Sequence, residues 1–370
     1  MPYNTDDDKK LNEVDLSDEE KRDLLTKIKS ILAKHTLCDE KWTQAITSQN
    51  FLVDLAFVLD MTHDKSFENL LDTFLESFVP QFSGGFKLNK RNILIIPDEN
   101  KKLIKCMIEE DKIDSYYSGT LSADKITDPD QIYRNYLYGT MLNIATAANS
   151  NELNNVFDYC ISELLNETSM DSRGGWIHYR LPWITARILL GIHNVLKSSR
   201  FIKSEIYNRI LAQDKAALDS LIARIYDNKF WRSGAGNWVS KWESTGLCLE
   251  AFITSQTWLE NKEYVNNITK VVDYLFEEST IKEWLPENID FSNEDETNER
   301  LAQIVLCSVL YRIVKLKEWN KYSNYCKPIG EFFKKCIDAL YKSEDIKARQ
   351  YCTIQQIILY IAKAIKDGTK

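Results

Sequence analysis

The sequence predicts an all-α protein made of repeated antiparallel helical hairpins of roughly 55 residues. These are expected to close as an α/α toroid, with an open α-solenoid as the alternative. Three observations predict this. Only 12 Gly and 7 Pro occur in 370 residues, too few for the many tight turns of a β fold. Apolar residues recur with the helical period along most of the chain. Helix starts headed by a threonine recur at Thr185, Thr245, Thr297 and Thr353, at intervals of 60, 52 and 56 residues.

In chain order, residues 1–16 are acidic and polar and read as a flexible arm. The arm ends where Ser17 precedes Glu19 and Glu20, a helix-start signature. Residues 17–370 form one all-α domain, of which 17–129 is the more irregular part. Leu24, Leu25, Ile28, Ile31 and Leu32 share one helical face. Phe51 to Met61 and Phe67 to Val79 come next, the latter stopped by Pro80. Ile93 to Ile96 is the one segment that reads as a short strand, or equally as a buried connector. Tyr133 to Thr140 starts an early copy of the repeat.

The repeat itself is read from matched positions. Thr185 is followed by Leu189 and Ile192 at +4 and +7, with the small Gly191 at +6; Thr245 by Leu249, Ala251 and Phe252 in the same places. Thr297 with Leu301 and Ile304, and Thr353 with Ile357 and Tyr360, continue it more loosely. The amphipathic stretches Ser204 to Tyr226, Asn261 to Phe276 and Gly330 to Tyr341 are each long enough to return antiparallel to these helices. Six such hairpins use about 330 residues, the content of a double ring of inner and outer helices.

Hydrophobic residues at 44% and aromatic residues at 11% suffice for a large core and exclude global disorder. With 47 basic against 55 acidic residues the net charge is −8, which argues against nucleic-acid binding. The eight cysteines form no CxxC pair and no Cys/His cluster, as expected of reduced thiols; no metal site is expected, and any cofactor is left unknown. No secretory leader is evident. The most hydrophobic segment, Ile304 to Val314, is interrupted by Arg312, so no membrane insertion and a cytoplasmic location are expected. The zinc-protease, phosphate-loop, dinucleotide and serine-hydrolase motifs are all missing from the sequence.

Seven of the nine tryptophans (Trp176, Trp183, Trp231, Trp238, Trp242, Trp258, Trp284) lie between residues 176 and 284, mostly in or beside loops that precede the threonine-headed helices. If those helices all run one way, the loops gather at one end and their rings line a shared concavity. An indole offers an apolar face and one donor, suited to a sugar ring, an isoprenoid or a cation. Packing between hairpins accounts for the tryptophans equally well. Charge accompanies them: Arg173, His178, Arg180 and Arg187 around the first loop, Arg232, Lys241 and Glu243 around the second, and Glu287, Asp290, Glu294, Asp295 and Glu296 around the third.

The candidate catalytic residues are therefore His178, Glu243, Asp295 and Glu296, as general acids or bases if burial shifts them towards working pH. The candidate ligand-binding residues are Trp176, Arg180, Arg187, Asn237, Trp238, Trp242 and Trp284, with the arginines able to hold a phosphate or carboxylate. A helix cap is the commoner reason for Asp295 and Glu296. His193 reads as core or surface.

The loops Gly174-Gly-Trp176, Gly234-Ala-Gly-Asn-Trp238 and Trp284-Leu-Pro286, each followed by a threonine-headed helix, resemble the α/α-toroid proteins, especially the terpenoid-cyclase and protein-prenyltransferase group. The resemblance spans about residues 130 to 365. It implies the toroid architecture but not the chemistry: Asn293-Glu-Asp-Glu-Thr297 stands where the cyclases carry Asp-x-Asp-Asp, and no Asp-x-Cys zinc pair is near. Toroids that act on sugars place tryptophans and carboxylates similarly. Two functions are expected on this basis. One is an enzyme or small-molecule binder for a sugar-like or isoprenoid-like ligand; the other is an interaction protein (adaptor, inhibitor or immunity protein) holding a basic protein partner.

Overall fold

A computed structural model describes residues 15–34, 139, 142, 161, 164–165, 182–197, 205–232, 240–342 and 351–367. The described residues are mostly helical, with nine α-helices: α1 (Asp18–Lys34), α2 (Pro182–Lys197), α3 (Glu205–Ile222), α4 (Lys241–Thr254), α5 (Lys262–Leu275), α6 (Glu278–Trp284), α7 (Glu294–Ile313), α8 (Cys326–Lys342) and α9 (Tyr351–Asp367). Short 3₁₀ segments, Trp258–Glu260 and Lys317–Tyr325, come after α4 and α7. The expected strand at 93–96 and the early copy at 133–140, apart from Gly139, lie outside the described residues.

Local chemistry sets the helix starts. Ser17 accepts from the Glu20 amide at 3.3 Å while its own amide donates to the Glu20 carboxylate at 2.8 Å, a reciprocal cap one turn into α1. Ser240 caps α4 through the Glu243 amide, Asn261 caps α5, and Asn293 caps α7 through the Glu296 amide.

Burial divides the helices into two classes. In α2 and α7 nearly every residue after the first turn is buried, and α4 and α9 are close to this, so these four present apolar side chains all round and belong inside. Helices α1, α3, α5 and α8 bury one face only. The inner helices pack in the order α2, α4, α7, α9. Of the outer ones, α3 lies on α2 and α4, and α8 on α7, while α1 packs against α8 and α9.

Helices α4, α7 and α9 run parallel, because their contacting positions rise together: beyond Gly246 against Leu306, and beyond Asn298 against Thr353, Glu250 of α4 meets both Arg312 of α7 and Lys363 of α9. His193 of α2 meets Thr254 of α4, and Asn298 of α7 meets Thr353 of α9, both within one residue of the register of the threonine repeat. Between α4 and α7 the register differs. A β-carbon on Gly246 would come within 2.9 Å of the Leu306 amide, so position 246 stands level with 305–306, about two turns beyond the match of Thr245 with Thr297. A β-carbon on Gly191 would sit 2.2 Å from the Gly139 carbonyl oxygen; glycine is what permits these close approaches.

A two-residue hairpin absent from the sequence expectation pairs Ile225 with Trp231 and Tyr226 with Phe230 between α3 and α4. Asp227 and Asn228 turn it at positive φ, 51° and 57°, which Asp and Asn tolerate better than most residues. The expected arm loses its last two residues to the fold: Asp15 and Leu16 are packed, two residues before the anticipated boundary. Asp15 accepts from Lys21 at 2.9 Å, from Lys315 at 2.7 Å and from the Tyr311 hydroxyl, and Leu16 lies against Gly330 of α8. No helix among the described residues is long and apolar enough to cross a membrane.

Candidate functional site

The parallel inner helices bring the starts of α4, α7 and α9 to one end, where a polar rim forms. Lys241 pairs with Glu283 at 2.8 Å and sits 4.2 Å above the Trp242 ring. The Glu283 carbonyl accepts from Gln303 at 3.0 Å; Gln303 accepts from Arg300, and Arg300 pairs with Glu296 at 3.2 Å. Glu243 lies half-buried in the first turn of α4, and Asp295 is exposed in the first turn of α7. The register between α4 and α7 sets Asp295 about 11 Å nearer the N-terminal end of the helix array than Glu243. His178, Trp176, Arg180, Asn237 and Trp238 lie outside the described residues.

The other sequence candidates go inward. Trp242 is buried, and Trp284 is completely so, its indole N–H donating to the Leu275 carbonyl at 2.8 Å and its ring set edge-on against Phe276. Trp231 repeats the pattern through Leu221, also at 2.8 Å, and Trp258 stacks on Trp319 with ring planes 12° apart. These indoles serve packing. Arg187 is buried too, but in a different company.

Towards the C-terminal ends of α4, α7 and α9, away from the rim, four inner helices bring charged side chains together. Glu250 of α4, 0% exposed, accepts from Lys363 of α9, also 0% exposed, at 3.2 Å, and pairs with Arg312 of α7 at 3.4 Å. Lys363 stands 4.5 Å above the Tyr360 ring, and the Arg187 guanidinium of α2 lies 5.7 Å from the same ring. Burial pushes the Glu250 carboxyl up, but Lys363, Arg312 and Arg187 together outweigh it and hold the group below its ordinary value. Glu250 is therefore an ionised carboxylate at neutral pH.

A second polar node adjoins it. The Glu250 carbonyl accepts from the Thr254 hydroxyl at 2.8 Å, and Thr254 lies 2.7 Å from Nδ1 of His193, whose Nε2 lies 2.7 Å from Asp214 of α3. His193 is thus a satisfied core histidine tying α2, α3 and α4 together.

His193, read as core or surface, is core; Glu250 and Lys363 were not singled out in the sequence, and Arg312 only as a break in an apolar segment, although a signal exists. Each charge sits alone in an apolar run on a helix that is apolar all round: Leu249-Glu250-Ala251-Phe252, Tyr311-Arg312-Ile313, Ala362-Lys363-Ala364. A charge there cannot reach water and must find a partner. Among the described residues no group of three or more His, Cys, Asp or Glu side chains could hold a metal ion.

The chain matches no protein-family profile, no curated protein and no solved structure.

Proposed function

We propose that the helices close as an α/α toroid and that the protein is an enzyme or binder of a small sugar-like or isoprenoid-like molecule, held at the centre of the inner helices. The observation that carries this reading is the Glu250 cluster. Four inner helices each contribute a charged or hydroxylated side chain to one sealed point. Buried ion pairs contribute little net stability compared with apolar residues of equal volume, so packing alone gives no reason for them, whereas binding and acid–base chemistry do. Ring closure is supported by α1, which lies outside α9 as α8 lies outside α7 and so completes the last inner–outer pair from the start of the chain.

In this reading Glu250 is the principal carboxylate. Glu243, Asp295 and Glu296 belong to the rim through which a ligand approaches, and Arg187 keeps its ligand-facing role at the centre. The buried free thiols Cys248, Cys307, Cys326 and Cys336 suit a reducing compartment such as the cytosol.

The test is native mass spectrometry of the protein purified gently from its own cells. The expected result is a retained adduct of small-molecule mass. A stoichiometric protein companion without such an adduct would overturn the reading in favour of an interaction protein.

A further inference from the structure

The two oxygens of Glu250 are in unequal states. Both cations approach Oε1, Lys363 at 3.2 Å and Arg312 at 3.4 Å. Oε2 is buried and has no hydrogen-bond partner among the described residues. An ionised carboxylate oxygen sealed from water without a donor is costly, and such a site is matched by whatever brings a donor to it.

The surroundings select the donor. Lys363, Arg312 and Arg187 all act on this carboxylate, so an ammonium group or a metal ion entering here meets three positive neighbours and is repelled. An isoprenoid chain carries no donor along its length and would seal Oε2 against hydrocarbon. A neutral hydroxyl donates without adding charge.

We infer that the ligand of the inner-helix centre is a polyhydroxylated molecule, a sugar or cyclic polyol, one of whose hydroxyls donates to Glu250 Oε2. This rests on the small-molecule function proposed for the same site and chooses between the two ligand classes it leaves open. Because Glu250 is sealed, binding requires the surrounding helices to part, so association is slow.

The experiment is calorimetric titration and stopped-flow tryptophan fluorescence of the full chain with D-glucose, maltose, cellobiose and myo-inositol, and with limonene as the donor-free isoprenoid probe. At least one polyol is expected to bind slowly. The double variant Glu250→Gln/Lys363→Met removes the ion pair as a unit at nearly constant volume, and it is expected to bind that polyol about tenfold or more weakly. If the variant does not fold, the carboxyl ¹³C resonance of Glu250 in the unaltered protein replaces it and is expected to move on polyol addition.

Equal polyol affinity in both proteins, or an unmoved Glu250 resonance, would overturn the assignment to Glu250. Limonene binding without polyol binding would overturn the ligand class while leaving the proposed small-molecule function standing. Binding of none of the four polyols would overturn this inference alone, because native mass spectrometry tests the small-molecule function independently.

Discussion

The aromatic layer around Trp231, Phe252, Trp284 and the Trp258–Trp319 stack and the charged cluster around Glu250 are equally sealed from solvent, yet they reach that state by opposite routes. In the aromatic layer large rings leave water; Trp231 and Trp284 each find one backbone carbonyl and only the Trp319 indole N–H goes without a partner among the described residues, so burial gains much area for little lost hydrogen bonding. In the charged cluster a carboxylate and its neighbouring cations give up hydration and recover part of it through one another. The first region holds the fold together. The second costs the fold something, and is the place to look for function.

The contrast between the two regions is tested most severely by removing one member of the charged cluster. Lys363→Met is expected to destabilise the protein by about 3–5 kcal/mol in urea denaturation, because Glu250 loses its nearest cation. Adding Glu250→Gln is expected to restore most of the loss. A single variant as stable as the parent would break the claim that these residues act as a paired unit.

Trp284→Phe probes the aromatic side. It deletes the donor to the Leu275 carbonyl and part of a fully buried ring, and a loss of about 2 kcal/mol is expected in the same assay. Unlike the lysine variant, it has no partner change that would rescue it.

A third, smaller effect comes from pH. Burial pushes the Asp15 carboxyl up, but Lys315, Tyr311 and Lys21 outweigh it and hold it below its ordinary value. Glu250 is lowered as well, and Glu20 is held at about 2 by its hydrogen bond from Lys334. A carboxyl whose folded value is depressed contributes stability that is fully present above its unfolded value. That stability is lost as pH falls through the folded value. Urea midpoints are therefore expected to stay level from neutral pH down to about 5 and to fall below that. Asp15→Asn is expected to cost about 1 kcal/mol at pH 7 and to flatten the acid decline. An unchanged acid slope would remove Asp15 from the account.

The smallest effect is expected at the rim. Asp295→Ala, exposed in the first turn of α7, should change stability by less than about 0.5 kcal/mol in the same denaturation series. A larger cost would show that the α7 start is more than a solvated turn.

The all-α class was legible because few turn residues and a sustained helical period leave little alternative, and the starts of α1 and α4 could be read from Ser17 and Thr245 with their neighbours. The register between α4 and α7 was not legible. It is set by the fit of Gly246 against Val305 and Leu306, a three-dimensional contact that threonine spacing does not encode. The hairpin at 225–231 was missed because two-residue strands give no alternation to detect. For the site, conspicuous residues misled. Loop tryptophans drew attention to Trp284, whose donor is spent on Leu275, while Glu250 and Lys363 passed unnoticed inside helices whose apolar character suggested only core.

The docking of α1 has a consequence for how the chain is made. Lys27 of α1 pairs with Asp338 of α8, 311 positions later. At ribosomal speeds of about 5–20 residues per second, roughly 15–60 s separate the emergence of the two. Throughout that interval Leu24, Ile28 and Ile31, buried in the finished protein, have no final surface to cover them. Helix α1 is thus made long before the helices it docks on and is among the last of the described helices to settle.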